Sequence, residues 1–163
     1  MSKNILRQIA ISSEKEELVK ALQAFIDDYK EQQVKSHSLS IPVSVFSQRR
    51  LGCLEAAVKY LKENLSLKYV EIAKMLNRDE RTIWTTYNKA RKKSNGPFEI
   101  SDHNYNVPYT IFSDRDKGPL EALVYFLKEG LELDFKEIAQ LLNRNYNTIW
   151  LSYNKIKRRC DSG

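Results

Sequence analysis

The chain has 163 residues and a formal net charge of +6, with 42% hydrophobic and 29% charged residues, as in ordinary soluble globular proteins. It contains no apolar run long enough for a membrane span or a signal-peptide core, so we expect it in the cytoplasm. Its two cysteines and two histidines are scattered along the chain, which argues against a disulfide framework, a metal site, a cofactor or an enzymatic function.

The first predicted element is an amphipathic helix over 13–33. Ser13 and Glu16 have the spacing of a capping box. Apolar side chains then recur at helical spacing at Leu18, Leu22, Phe25, Ile26 and Tyr29. Because the same spacing suits a short coiled-coil seam, this helix either packs on its own chain or forms a homodimer. Residues 34–40 have a linker-like composition and complete an N-terminal segment over 1–40.

The remainder of the chain is a tandem duplication. Residues 41–93 (repeat one) align without a gap with 107–159 (repeat two), and roughly half of the aligned residues are identical. The longest shared pattern is Thr82-Ile-Trp84 with Tyr87-Asn-Lys89, which returns as Thr148-Ile-Trp150 with Tyr153-Asn-Lys155. Each copy is long enough to fold as a small helical unit. We therefore predict domains at 41–93 and 107–163, joined by a linker at 94–106.

Each repeat is predicted to begin with an extended arm and to continue as three helices. The arms, at 41–45 and 107–111, have Pro at the second position and either pair with each other or cover their own domains. The predicted helices are 52–63, 69–76 and 80–92 in repeat one and 119–129, 135–142 and 146–158 in repeat two. The predicted fold is therefore all-α, with two tandem trihelical units that follow the N-terminal helix.

Turn and cap residues mark the ends of these helices. Pro119 suits a first helical turn, and Gly130 suits a left-handed C-terminal cap. Tight turns at 77–78 and 143–144 lead to Asp79 and Asn145, both good N-caps. In the third helix of each repeat, residues spaced i, i+4, i+7 are predicted to face the core: Ile83, Tyr87 and Ala90, and their counterparts Ile149, Tyr153 and Ile156.

Positive charge is concentrated in repeat one. Residues 41–93 hold twelve basic and five acidic side chains, whereas 107–159 hold nine and seven, and 1–40 hold six of each. A small basic domain favours a polyanionic partner, most often nucleic acid.

Two helices joined by a very short turn, of which the second is basic, form the pattern of a helix-turn-helix. Residues 67–93 resemble the helix-turn-helix of bacterial sigma factor region 4 and of related, including archaeal, regulators. Repeat one matches through Glu71-Ile-Ala73, Leu76, Asp79, Thr82-Ile83 and the basic end at 90–93, and repeat two through the equivalent positions at 137–159. Asn77 and Asn143 replace the usual Gly of the turn, and Trp84 and Trp150 replace an expected Lys or Arg.

The resemblance implies a sequence-specific regulator of transcription that binds double-stranded DNA and is associated with the nucleoid. In such a protein the second helix reads base edges: Arg81 suits guanine, Asn147 or Asn88 suits adenine, and Thr85 or Leu151 suits a thymine methyl. The predicted DNA-binding residues are Arg78, Glu80, Arg81, Trp84, Thr85, Asn88, Lys89, Arg91, Lys92, Arg144, Tyr146, Asn147, Trp150, Leu151, Asn154, Lys155 and Arg158. Trp84 and Trp150 either contact DNA or pack against the first helix of their repeat.

The alternative interpretation is an adaptor, in which one repeat or the N-terminal helix binds RNA polymerase or another protein. RNA binding is disfavoured, since the sequence predicts no sheet on which bases stack. Because the predicted reading residues differ between the repeats, a DNA target is expected to be asymmetric or imperfectly repeated. Repeat one, with the larger positive charge, is expected to make the dominant DNA contact.

Overall fold

The structure, a computed structural model, describes residues 14–27, 39–100 and 104–161. Helices make up most of these residues, and the sheet they contain has two short strands, which confirms the predicted all-α class. The chain divides into two compact units, 1–38 and 39–163. Among the described ranges, every helix is too short or too polar to cross a membrane.

The first unit is represented by one helix, α1, over residues 14–27. Its apolar stripe lies open to solvent, with Leu18, Leu22, Phe25 and Ile26 each at least 43% exposed. The predicted cap Ser13, the stripe residue Tyr29 and the rest of the helix predicted up to residue 33 lie outside the described residues.

The second unit contains both repeats, each with a short strand, a 3-10 helix and three helical segments. Repeat one comprises β1 (Ser40–Pro42), a 3-10 helix (Val43–Ser47), α2 (Cys53–Glu63), α3 (Tyr69–Met75) and α4 (Glu80–Lys93). Repeat two comprises β2 (Asn106–Pro108), a 3-10 helix (Tyr109–Phe112), α5 (Pro119–Tyr125) with a π-helical turn (Phe126–Gly130), α6 (Phe135–Leu141) and α7 (Tyr146–Asp161). The six helices predicted in the repeats are all present.

The arms differ from the prediction in length and conformation. Strand β1 ends at Pro42, and a 3-10 helix replaces the extended chain expected through Val45. Val43, Val45 and Phe46 are all buried, whereas a strand would direct Val45 and Phe46 to opposite faces. The extended parts of the two arms pair with each other in an antiparallel ladder, with Ile41 opposite Val107.

Two of the predicted caps are also different. Asp79 occupies the N-cap position of α4 but makes no side-chain capping bond, whereas Asn145 accepts a 3.1 Å hydrogen bond from the Asn147 amide. Gly130 is not left-handed; that conformation is adopted by Glu132 instead, with φ of 55°. A Cβ on Gly130 would lie 3.1 Å from the Phe126 ring, so a larger residue at this position would require that ring to shift.

The core of this unit runs through both repeats. Ile83, Ala90, Ile149 and Ile156 are buried, as predicted. Phe46 of repeat one packs against its counterpart Phe112 in repeat two, with ring centroids 5.5 Å apart. Tyr87 and Tyr153 are half-buried, and their hydroxyls donate hydrogen bonds to Glu63 at 3.0 Å and to Glu129 at 2.6 Å respectively.

Candidate nucleic-acid interface

In each repeat a left-handed asparagine turns the chain from the second helix into the third. Asn77 and Asn143 have φ of 49° and 47°, a conformation that asparagine tolerates better than most residues. The next amide in each case, that of Arg78 or Arg144, donates a 2.9 Å hydrogen bond to the carbonyl of Ala73 or Ala139. The predicted tolerance of asparagine for this turn is confirmed, and the turn places α4 across α3 and α7 across α6.

The solvent-facing side of α4 (the α4 face: Glu80, Arg81, Trp84, Thr85 and Asn88) carries charge and one large ring. Trp84 is 54% exposed, so about half of its side-chain surface is open to solvent. Thr85 and Asn88 donate side-chain hydrogen bonds to the helix carbonyls of Arg81 (2.8 Å) and Trp84 (3.0 Å). Arg81 is exposed and extends from the first turn of the helix.

The equivalent side of α7 (the α7 face: Tyr146, Asn147, Trp150, Leu151 and Asn154) is much more apolar. Tyr146, Trp150 and Leu151 are 43%, 45% and 54% exposed. Asn154 repeats the bond of Asn88, donating to the Trp150 carbonyl at 2.9 Å. Asn88 and Asn154 are half-buried and bonded to their own helices, whereas Asn147 is exposed.

The basic side chains at the helix ends fall into two groups. Lys93 pairs with Glu55 at 2.7 Å, and Arg159 lies 3.4 Å from Glu121, so each is held by the first helix of its own repeat. Burial opposes ionisation of Glu55, but the hydrogen bonds from Lys93 and the Gly52 amide, together with the charges of Lys93 and Lys89, outweigh it and lower the pKa of that carboxyl. Lys155 also lies 3.6 Å from Glu121. The other basic side chains of the predicted interface on these two helices, which are exposed to solvent, are Lys89, Arg91, Lys92 and Arg158.

Arg78 and Arg144 occupy a different environment from the other predicted DNA-binding residues. Both are half-buried, and the Nε atom of each is buried without a hydrogen-bond partner within the described ranges. Arg144 donates from its guanidinium to the Leu51 carbonyl of repeat one at 3.0 Å. Burial raises the pKa of Cys53 to about 11, and the nearby Arg144 guanidinium opposes that rise. Arg144 therefore contributes to the contact between the repeats.

Two surface hollows lie beside the asparagine turns, and each is lined by an arginine of the opposite repeat. The first, of about 340 Å³, is formed by α3 and its turn together with Arg115. The second, of about 360 Å³, is formed by α6 and its turn together with Arg49. Arg49 and Arg115 were missed by the helical patterns because both precede the first helix. They occupy the same aligned position in the two repeats, which was the available signal.

The part of the chain that the structure describes contains no cluster of three or more His, Cys, Asp or Glu side chains able to hold a metal ion. Comparison of the chain with protein-family models, with curated proteins and with solved structures finds no match.

Proposed function

We propose that the chain is a sequence-specific regulator of transcription that binds double-stranded DNA through two helix-turn-helix units, α3–α4 and α6–α7. The observation that carries this proposal is the exposure of equivalent tryptophans, Trp84 and Trp150, on the second helix of each unit. Exposed large rings at the same place in two copies of one fold are typical of a binding surface. A short turn before an exposed helix is the arrangement that presents a helix to the major groove.

Within this proposal the residues of the two faces have different roles. Arg81 and Asn147 project from the first turns of α4 and α7 and read bases, since the N-terminal residues of a recognition helix contact base edges. The exposed cations Lys89, Arg91 and Lys92 bind phosphates, which fix the position of the helix without selecting sequence. Arg49 and Arg115 add phosphate contacts beside the two turns.

Regulation of transcription is proposed from the resemblance of both repeats to sigma factor region 4. The larger positive charge of repeat one supports a stronger phosphate contribution from α4 than from α7. The aromatic α7 face contributes stacking on sugars and contact with thymine methyl groups.

Selection from a pool of random duplexes, followed by anisotropy titrations at several salt concentrations, tests this proposal. We expect an enriched motif, binding that weakens steeply with salt, and a loss of about 1–3 kcal/mol of discrimination at one base pair in Arg81→Ala. Lys20→Ala, which removes one positive charge from the separate helix α1, is the matched control and should keep the preference. An unenriched pool, or equal affinity for heparin and duplex DNA, contradicts the proposal.

A second candidate function is suggested by the apolar exposure of α1 and α7. The stripe on α1 and the side chains of Trp150 and Leu151 suit a protein partner such as RNA polymerase, or a second copy of the chain through α1. We expect Leu22→Glu to abolish a dimer or a polymerase contact in sedimentation and co-purification, with DNA affinity unchanged. A Leu22→Glu protein that matches the parent chain in both measurements contradicts the adaptor function.

A further inference from the structure

The two repeats meet through equivalent residues. In the β1–β2 ladder Ile41 lies opposite Val107, its own counterpart in the aligned sequence. The flanking pairs are Ser40 with Pro108 and Pro42 with Asn106. If each residue is replaced by its counterpart in the other repeat, the first pair becomes the second and the second becomes the first. An antiparallel ladder with this register has a local twofold axis between Ile41 and Val107.

Contacts further from the ladder follow the same exchange. Phe46 packs on its counterpart Phe112, with ring centroids 5.5 Å apart. Arg115 lines the hollow beside the turn of repeat one, and its counterpart Arg49 lines the hollow beside the turn of repeat two. Interfaces in which each partner presents the same patch are isologous, as in twofold-symmetric dimers.

The turns themselves are attached to the opposite repeat. Arg144 donates to the Leu51 carbonyl at 3.0 Å, and Asn77 donates to the Ser113 carbonyl at 3.4 Å. Because these bonds join the base of each third helix to the other repeat, α4 and α7 are held in one body by the shared core. Their relative orientation is set by the protein before any DNA is bound.

We propose, on the basis of the proposed DNA binding, that the chain reads an imperfect inverted repeat with both faces at once. A twofold axis between the repeats makes α4 and α7 approach opposite strands, as the recognition helices of a symmetric dimer do. The half-sites differ in sequence because the α4 and α7 faces differ. In a direct repeat the second half-site has the opposite orientation to that in an inverted repeat. The α7 face, whose orientation relative to α4 is fixed, cannot bind it while α4 binds the first half-site.

The test varies the DNA and leaves the protein intact. Half-sites recovered by selection are rebuilt as inverted, everted and direct repeats, each at centre-to-centre spacings that increase by single base pairs. We expect one inverted arrangement at one spacing to bind a single chain about 10²-fold more tightly than the direct repeat, since the second face binds its half-site intramolecularly. Arg81→Ala should erase preference in one half-site, and Asn147→Ala in the other.

Equal affinity for all orientations, or binding of two separate duplexes by one chain, overturns the inverted-repeat proposal while leaving DNA binding intact. Absence of any enriched half-site overturns the proposed function itself. The two failures are therefore distinguishable in one series of duplexes.

Discussion

Repeats one and two hold the same scaffold with the same local interactions and differ in what they expose. Lys62 and Lys128 each cap the next loop by donating to the Leu67 or Leu133 carbonyl. The α4 face presents Glu80, Arg81 and Trp84, whereas the α7 face is mainly aromatic and aliphatic. The identities shared by the repeats include residues that maintain the fold, while three of the five residues on the α4 face differ from their counterparts on the α7 face, where a change can alter binding without a cost in packing.

The repeats also differ at buried positions of the first helix, and the largest change in chemistry is at Lys59. Lys59 is fully buried in α2; it pairs with Glu63, donates to the Gly96 carbonyl at 2.6 Å and lies over the Phe98 ring at 5.7 Å. Its counterpart in α5 is Tyr125, which stacks on Tyr153 at 6.1 Å. In repeat one, therefore, Lys59 holds the connecting segment that follows α4. In repeat two the equivalent residue forms an aromatic pair within the repeat instead.

The largest expected effect on stability comes from the contact between the equivalent residues Phe46 and Phe112. Phe46→Ala and Phe112→Ala should each lower the free energy of unfolding by about 3–5 kcal/mol, because each removes a buried ring from the shared core. Urea unfolding followed by circular dichroism should show a single cooperative transition for residues 39–163 in both variants. Two separate transitions, or a loss limited to one variant, would mean that the repeats fold independently.

Lys59→Met should distinguish repeat one from repeat two. It should lower the free energy of unfolding by about 3 kcal/mol, because it leaves Glu63 without its buried partner and the Gly96 carbonyl without its donor. The matched variant in repeat two, Tyr125→Phe, keeps the ring stack and should cost about 0.5 kcal/mol. Chemical denaturation measures both values. Equal losses would show that the connecting segment adds no stability through Lys59.

Trp84→Ala and Trp150→Ala should weaken DNA binding by about 1–2 kcal/mol each while changing stability little, because both rings are about half exposed. Lys92→Ala, on the more basic repeat, should also reduce the slope of log Kd against log salt by about 1. Titrations at several salt concentrations, paired with thermal unfolding, measure the two effects. A tryptophan variant that loses stability and retains affinity would identify that ring as packing.

The ion pair between Glu55 and Lys93 predicts a pH dependence. Because the folded pKa of Glu55 lies below its ordinary value, its stabilisation is present above the ordinary carboxyl pKa and is lost as pH falls through the folded value. Glu55→Gln should therefore cost about 0.5 kcal/mol near neutral pH and nothing in strong acid. Glu121→Gln is the comparison in repeat two, where the cations are Lys155 and Arg159. A constant cost of Glu55→Gln from acid to neutral pH would rule out this linkage.

Helix positions and the core could be predicted from the sequence because they follow from local periodicity. Ile83 and Ile149 recur with their neighbours at helical spacing and are fully buried. Contacts between the repeats could not be predicted in this way, since Arg144 bonds to Leu51, 93 residues away in the chain. The burial of Lys59 could not be predicted from the sequence either, because it depends on partners supplied by α2 and by the connecting segment.

The smallest expected difference concerns the two asparagine turns. Glycine adopts the left-handed backbone without strain, so Asn143→Gly should leave stability unchanged or raise it by about 0.5 kcal/mol. Asn77→Gly removes the same backbone strain but also removes the 3.4 Å hydrogen bond to the Ser113 carbonyl of repeat two. Asn77→Gly should therefore be less stable than Asn143→Gly. Parallel urea titrations of the two variants resolve this difference. If Asn77→Gly were the more stable of the two, the bond to Ser113 would contribute nothing to stability, and the proposed attachment would rest on the bond from Arg144 to Leu51 in the other turn.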